Sequence, residues 1–220
     1  MMRLETKKRI ITSVFLFSLS ILMFLYNFVL IISLIVIAIC AWVEFYGLIS
    51  RILKKENNKN KILRFLYKTI SLFYLTILIY FIITIQSLNL ELKDALIYSV
   101  LVSILTDIGG LVIGKMFKGK KLTKISPKKT ISGALGSFLF SLTLVPFYVN
   151  IFTDYKTSIL ILITLVVSLT SQIGDIFISF LKRRAKVKDT SNLLPGHGGV
   201  LDRIDGMIVA IPVCLIIFYI

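Results

Sequence analysis

"IITSVFLFSLSILMFLYNFVLIISLIVIAICAWVEF", Ile10 to Phe45, carries no charged residue before Glu44. A helix needs about 20 apolar residues to cross a bilayer core of about 30 Å. This stretch has the length for two such helices, with a joint at Tyr26-Asn27. In hydrocarbon every backbone N–H and C=O must be satisfied internally, which favours helices for apolar runs of this kind. The stretch is therefore read as a tight pair of membrane helices.

Five further apolar segments follow, so the expected spans are 10–26, 28–49, 65–86, 95–113, 131–149, 157–181 and 204–220. Composition agrees. Of 220 residues, 57% are hydrophobic and 17% charged, and the mean hydropathy is +0.91. A soluble domain is about half apolar or slightly less and about a quarter charged. The fold class read from these patterns is all-α, a polytopic membrane protein of about seven helices. The start "MMRLETKKR" resembles a signal peptide, but no small-x-small cleavage site follows, so an uncleaved first span is expected. Cys40 and Cys214 lie far apart in apolar runs and read as packing residues without a disulfide.

The net charge of +15 is sorted rather than spread. Basic residues cluster before span one (Arg3, Lys7, Lys8, Arg9), between spans two and three (Arg51 to Arg64), between four and five (Lys115 to Lys129) and between six and seven (Lys182 to Arg203). Of the 26 basic residues, only Lys68, Lys93 and Lys156 fall elsewhere. With seven spans, all four clusters share one face. The positive-inside rule makes that face cytoplasmic, with the N-terminus cytoplasmic and the C-terminus outside. The location expected is the inner (plasma) membrane, multi-pass, with cytoplasmic basic loops. The charge thus reads as topology and attraction to anionic lipid, not as nucleic-acid binding. "KKENNKNK", Lys54 to Lys61, reads as a solvated loop. The organisation expected is 1–94 as N-terminal spans and 95–220 as the membrane region that carries the polar motifs.

Three acids lie inside apolar segments, where charge is costly and points to function. Glu44, Asp107 and Asp175 each stand seven or eight residues before a basic flank, roughly 10–12 Å below the cytoplasmic helix ends at 1.5 Å per residue. They are expected at one depth. The competing reading gives each a lysine or backbone donor on a neighbouring helix. Small residues surround both aspartates, in "TDIGG" (Thr106–Gly110) and "SQIGD" (Ser171–Asp175), and permit close helix approach.

One polar island interrupts the apolar chain: "SFLKRRAKVKDTSNLLPGHGGVLDRIDG", Ser179 to Gly206. Asp202 and Asp205 are three apart, on one face of a first helical turn. Aspartates there cap helices; with Asp175 and Asp189 nearby in sequence they also suit a hard cation such as Mg²⁺. "PGHGG", Pro195 to Gly199, is a flexible loop whose N–H groups can approach an anion. Lys182, Arg183, Lys188 and Arg203 can meet phosphate charge. His197, the lone histidine, reads more readily as a loop hydrogen-bonder than as a metal ligand. In "KISPKKTISG", Lys124 to Gly133, Ser126-Pro127 makes a turn, Lys128 and Lys129 precede a helix, and Thr130 or Ser132 caps it. The two lysines form a candidate phosphate site.

These residues closely resemble the signature of phosphatidate cytidylyltransferases, the CDP-diacylglycerol synthases. The matching positions are Ser179, Lys182, Arg183, Lys188, Asp189, Pro195, Gly196, His197, Gly198, Gly199, Asp202, Arg203 and Asp205. "SQIGD", "ISPKKT" and Asp107 resemble further blocks, so the likeness covers about residues 100–212. Two blocks depart from it. Ile131-Ser132-Gly133 stands where the family usually has Trp-Glu-Gly, and Ile108-Gly109-Gly110-Leu111 follows Asp107.

The resemblance implies transfer of a cytidylyl group from CTP to phosphatidate, releasing pyrophosphate. It implies Asp175, Asp202 and Asp205 as ligands of Mg²⁺, with a second, monovalent cation expected beside it. It implies Lys182, Arg183 and Arg203 as catalytic phosphate-steadying groups. Lys128, Lys129, Lys188, His197, Gly198 and Gly199 would bind substrate phosphates; Asp107, Asp189 and Ser126 are further candidates without assigned roles. Expected partners are CTP, phosphatidate and membrane lipid, with a homodimer kept open. The competing readings are a membrane lipid kinase of the polyprenol or phytol type, and a transporter.

Overall fold

The computed structural model describes residues 2–88, 90–123, 126 and 129–219. Its described elements are helical: α1 (Met2–Leu25), α2 (Asn27–Ile52), α3 (Asn58–Leu88), α4 (Leu90–Phe117), α5 (Ile131–Leu142), α6 (Val145–Tyr148), α7 (Thr157–Arg184), α8 (Leu201–Ile204) and α9 (Met207–Tyr219). Among the described residues, six segments are long and apolar enough to cross a membrane, ending at Leu25, Ile52, Ile85, Phe117, Tyr148 and Arg184. The chain is a multi-pass membrane protein. The seventh expected span differs. The residues read as 204–220 form the end of α8, a turn, and α9, whose 13 residues rise only about 20 Å against a core of about 30 Å.

The joint in the opening stretch falls where expected. Tyr26 adopts an extended conformation (φ −126°, ψ 110°) between α1 and α2. The loop reading of Lys54 to Lys61 needs correction, because α3 already begins at Asn58. The Asn57 side chain accepts the Asn60 N–H at 2.9 Å, satisfying one of the donors a helix start leaves open.

The chain divides into two compact units, one of Met1–Ile83 and Leu181–Arg203, the other of Thr84–Phe180 and Ile204–Ile220. The Leu181–Arg203 part of the polar island thus groups with the N-terminal spans. In this first unit the Trp42 indole donates to the Lys68 carbonyl at 3.0 Å, and the Lys68 ammonium lies over the Trp42 and Tyr46 rings. That contact gives Lys68, one of the three basic residues outside the clusters, a cation–π partner.

The second unit is built on close backbone approach between α4 and α5. A methyl group at Gly109 would overlap the Gly136 carbonyl, and one at Gly110 would lie 2.7 Å from Ser137 Oγ. The glycines beside Asp107 therefore do what "TDIGG" suggested. Ser137 Oγ donates to the Thr106 carbonyl at 2.7 Å, and Thr106 Oγ1 to Ser168 Oγ at 2.8 Å. These bonds tie α4 to α5 and α7 where apolar packing alone drives association weakly. Tyr98, Tyr148, Phe152, Tyr155 and Phe218 form an aromatic cluster with ring centroids 4.5–6.5 Å apart. Cys40 and Cys214 are free thiols.

Candidate active site

The polar island starts as α7 ends. Lys182, Arg183 and Arg184 occupy the last turn of α7, where cations suit the negative end of a helix dipole. Lys186 then takes a left-handed conformation (φ 57°) that turns the chain away. Further on, the chain folds back sharply: Leu194 N–H donates to the Gly198 carbonyl at 2.8 Å, and His197 N–H to the Leu194 carbonyl at 2.9 Å. Gly196 (φ 78°) and Gly198 (φ 87°) make this turn possible, because a side chain is strained in that region.

Asp202 closes the loop. Its Oδ1 accepts from Lys182 Nζ at 2.7 Å. Its Oδ2 accepts from Thr190 N at 2.8 Å, Thr190 Oγ1 at 2.9 Å and Gly199 N at 2.9 Å. The pair is well buried, with side-chain exposures of 13% for Lys182 and 5% for Asp202. Burial alone would push the Asp202 carboxyl up, but the Lys182 ammonium and the Gly199 and Thr190 N–H groups outweigh it. The carboxyl is held below its ordinary value. The capping reading of Asp202 is thus realised as a loop clasp.

A second carboxylate holds the other side of the loop. Glu44, 5% exposed in α2, accepts from Ser191 Oγ (2.6 Å) and Val200 N (3.0 Å) on Oε1, and from Leu201 N (2.8 Å) on Oε2; Thr190 Oγ1, 2.8 Å from Oε2, has one proton to share between Glu44 and Asp202. Of the two readings open for this acid, the backbone-donor one describes it. Gly199 sits between the clasps, where a methyl group would overlap Thr190 Oγ1 and the Glu44 carboxylate. Thr190 and Ser191 lie outside the set expected from sequence, where the two hydroxyls of "DTS" carried no signal. Glu44 was singled out there by its charge inside an apolar span, but without an assigned role.

α1 braces the turn. Thr12 Oγ1 donates to the Pro195 carbonyl at 2.9 Å, and a methyl group at Gly196 would lie 2.7 Å from Arg9 Cγ. His197 Nε2 is 3.3 Å from Ser13 Oγ, while its Nδ1 is buried without a hydrogen-bond partner among the described residues. The Arg203 guanidinium donates to the His197 carbonyl at 2.6 Å. Arg183, Lys188 and Asp189 are exposed.

In the second unit Lys129 forms an ion pair with Asp175, which also accepts from Ser179 Oγ at 3.3 Å. Lys129 is placed by a short bridge, with Leu122 N–H donating to its carbonyl at 2.8 Å and its own N–H donating to the Ser126 carbonyl at 3.0 Å. Thr130 caps α5 by accepting the Gly133 N–H at 3.0 Å. Ser132 Oγ instead accepts the Gly119 N–H at 3.3 Å. Lys128 lies outside the described residues. Asp205 is buried, its Oδ1 accepting the Gly206 N–H at 2.9 Å, and its backbone packs on Gly174 of α7. Asp107 is exposed on α4.

The donor sets around these carboxylates do not fit a resident cation. Asp202 has both oxygens engaged by one ammonium, two N–H groups and a hydroxyl, and Asp175 faces the Lys129 ammonium. Among the described residues no three His, Cys, Asp or Glu side chains are grouped to hold a metal ion.

The profile of the cytidylyltransferase family matches residues 1–220. The chain is 41% identical over 120 residues to the phosphatidate cytidylyltransferase of Staphylococcus haemolyticus (strain JCSC1435), a match covering 53% of this chain and 46% of the relative. It is 42% identical over 120 residues, with the same coverage, to that of Staphylococcus aureus (strain COL). The chain spans about half the length of the curated relatives it matches. A match that runs the length of the chain, over a loop clasped by two carboxylates and flanked by basic groups, places it in one family: the chain belongs to the cytidylyltransferases.

Proposed function

We propose that the chain transfers the cytidylyl group of CTP to phosphatidate, giving CDP-diacylglycerol and pyrophosphate. The observation that carries this reading is the family match over the whole chain, supported by relatives named for this reaction. The chemistry suits the residues. A phosphate oxygen of phosphatidate attacks the α-phosphorus of CTP and forms a new P–O bond. The bond from the α-phosphorus to the bridging oxygen breaks, and its electron pair leaves with pyrophosphate. A phosphomonoester has a second pKa of about 6, so the attacking group is already anionic and needs no protein nucleophile. What the protein must supply is positioning and positive charge for two polyanions.

Lys182, Arg183, Arg203, Lys188 and Lys129 are the groups proposed to meet those phosphates, with Lys128 alongside in sequence. Lys182 and Lys129 are each held by a carboxylate, Asp202 and Asp175. Within "PGHGG" the His197 and Gly198 N–H groups donate to the Leu194 carbonyl and the Gly199 N–H to Asp202, so the Gly196 N–H is the one proposed to face a phosphate oxygen. Mg²⁺ is proposed to arrive with CTP as the counter-ion of its phosphates, with Asp175 and Asp205 the carboxylates proposed to approach it. The inner-membrane location, cytoplasmic basic loops and a homodimer belong to the same reading.

Two labelled forms of CTP test it on purified chain with phosphatidate and Mg²⁺. Label at the α-phosphorus passing into lipid is the expected result. Label passing from the γ-phosphorus would mean a lipid kinase, and label from neither, on folded protein, would remove the reading.

A further inference from the structure

Glu44 stands two turns inside α2, eight residues before its last residue Ile52, or about 12 Å along the axis. A carboxylate at that depth is costly unless its acceptors are filled. They are filled by the polar island: two hydroxyls and two backbone N–H groups, from Thr190, Ser191, Val200 and Leu201. These donors come from both strands of one loop, before and after the "PGHGG" turn. The loop is therefore drawn down alongside α2 to the level of Glu44. Backbone that enters membrane depth without helical pairing is tolerated only where protein satisfies it.

The connection runs on to the site. Thr190 Oγ1 lies 2.8 Å from Glu44 Oε2 and 2.9 Å from Asp202 Oδ2, and Asp202 holds Lys182. Gly199 leaves no room for a side chain between Thr190 and Glu44, so the backbone itself is seated on the carboxylate. We propose that Glu44 is the positioning residue of the loop. Through Thr190 and the Val200 and Leu201 amides, it fixes the height and register at which Asp202, Lys182 and the "PGHGG" turn are presented. The N-terminal spans in this view set the geometry of the polar island besides anchoring it. The consequence for turnover rests on the cytidylyl-transfer reading; the positioning itself does not.

The test uses the full chain in lipid nanodiscs without substrates, comparing parent, Glu44→Gln, Glu44→Asp and Ser191→Ala by amide hydrogen exchange. Glu44→Gln keeps the shape but turns an amide donor toward donors. Losing hydrogen bonds to a charged acceptor should speed exchange in 190–203 by about tenfold or more, with α4 and α9 unchanged. Glu44→Asp should restore part of the protection, and Ser191→Ala should lose less than Glu44→Gln. With MgCTP and phosphatidate, Glu44→Gln should lower kcat more than it raises KM, because Glu44 touches no substrate. Glu56→Gln, an exposed acid in the turn before α3, is the control. Unchanged loop exchange in Glu44→Gln would overturn the proposal, and so would equal acceleration across α4 and α9, which marks global destabilisation. If no variant or parent transfers cytidylyl groups, the exchange result still decides the positioning role.

Discussion

The Lys182–Asp202 pair gives a worked prediction. The ammonium donates at 2.7 Å, and the partners retain exposures of 13% and 5%. Fully exposed pairs are worth about 0–1 kcal/mol. Breaking a buried pair from one side costs about 3–5 kcal/mol because the other charge is left behind. Asp202 keeps three further donors from Thr190 and Gly199 when Lys182 is removed, so Lys182→Met should fall below that range, at about 2 kcal/mol. Asp202→Asn removes the countercharge of a mostly buried ammonium and sets an amide against backbone donors, so about 3 kcal/mol is expected. In the double variant neither charge is stranded, and the coupling from the cycle should be about 2 kcal/mol. Reversible unfolding in mixed micelles, followed by a probe in the first unit, measures it. Coupling under about 0.5 kcal/mol, the level expected of independent sites, would refute the claim that this pair is a clasp.

The same clasp fixes a pH dependence. The Asp202 carboxyl is held below its ordinary value of 3.8, so its contribution is fully present above that pH and is lost as pH falls through the folded-state value. Loop protection, the intrinsic exchange rate at each pH relative to the observed rate, should stay flat from pH 7 down to about 4 and fall below it, and Asp202→Asn should abolish that fall. Gly199→Ala should cost about 1–3 kcal/mol by overpacking, read as lower thermal stability and a faster-exchanging loop. Thr130→Ala should cost about 1 kcal/mol by removing the α5 cap and should weaken CTP binding through displacement of Lys129. A chelator should leave the thermal unfolding of substrate-free protein unchanged, since no carboxylate cage is preformed among the described residues.

The apolar runs made the membrane helices legible because hydrocarbon leaves few alternatives to a helix. Helix ends were less legible. Asn57 starts α3 inside a run that reads as loop, because one side-chain cap outweighs a polar composition. The last span reads as continuous through residues 204–220, yet Asp205 and Gly206 are turned to pack on Ser171 and Gly174 of α7, a tertiary contact without periodicity in sequence. At the site, the density of "PGHGG" and "LDRID" pointed to a loop that the structure folds tightly, while the use of its residues had two readings. Asp202 clasps a loop because its donors come from Thr190 and Gly199, positions whose backbone N–H groups look like any others in sequence. Glu44 was visible as a charge in an apolar span, but its partners lie about 150 residues away in the chain.

Cytidylyl transfer to phosphatidate is decided by pyrophosphate release from purified chain in phosphatidate-containing liposomes with MgCTP. The predicted result is release that requires both phosphatidate and CTP and equals the CDP-diacylglycerol formed, one for one. Release without phosphatidate, or folded protein that forms no CDP-diacylglycerol, would contradict it.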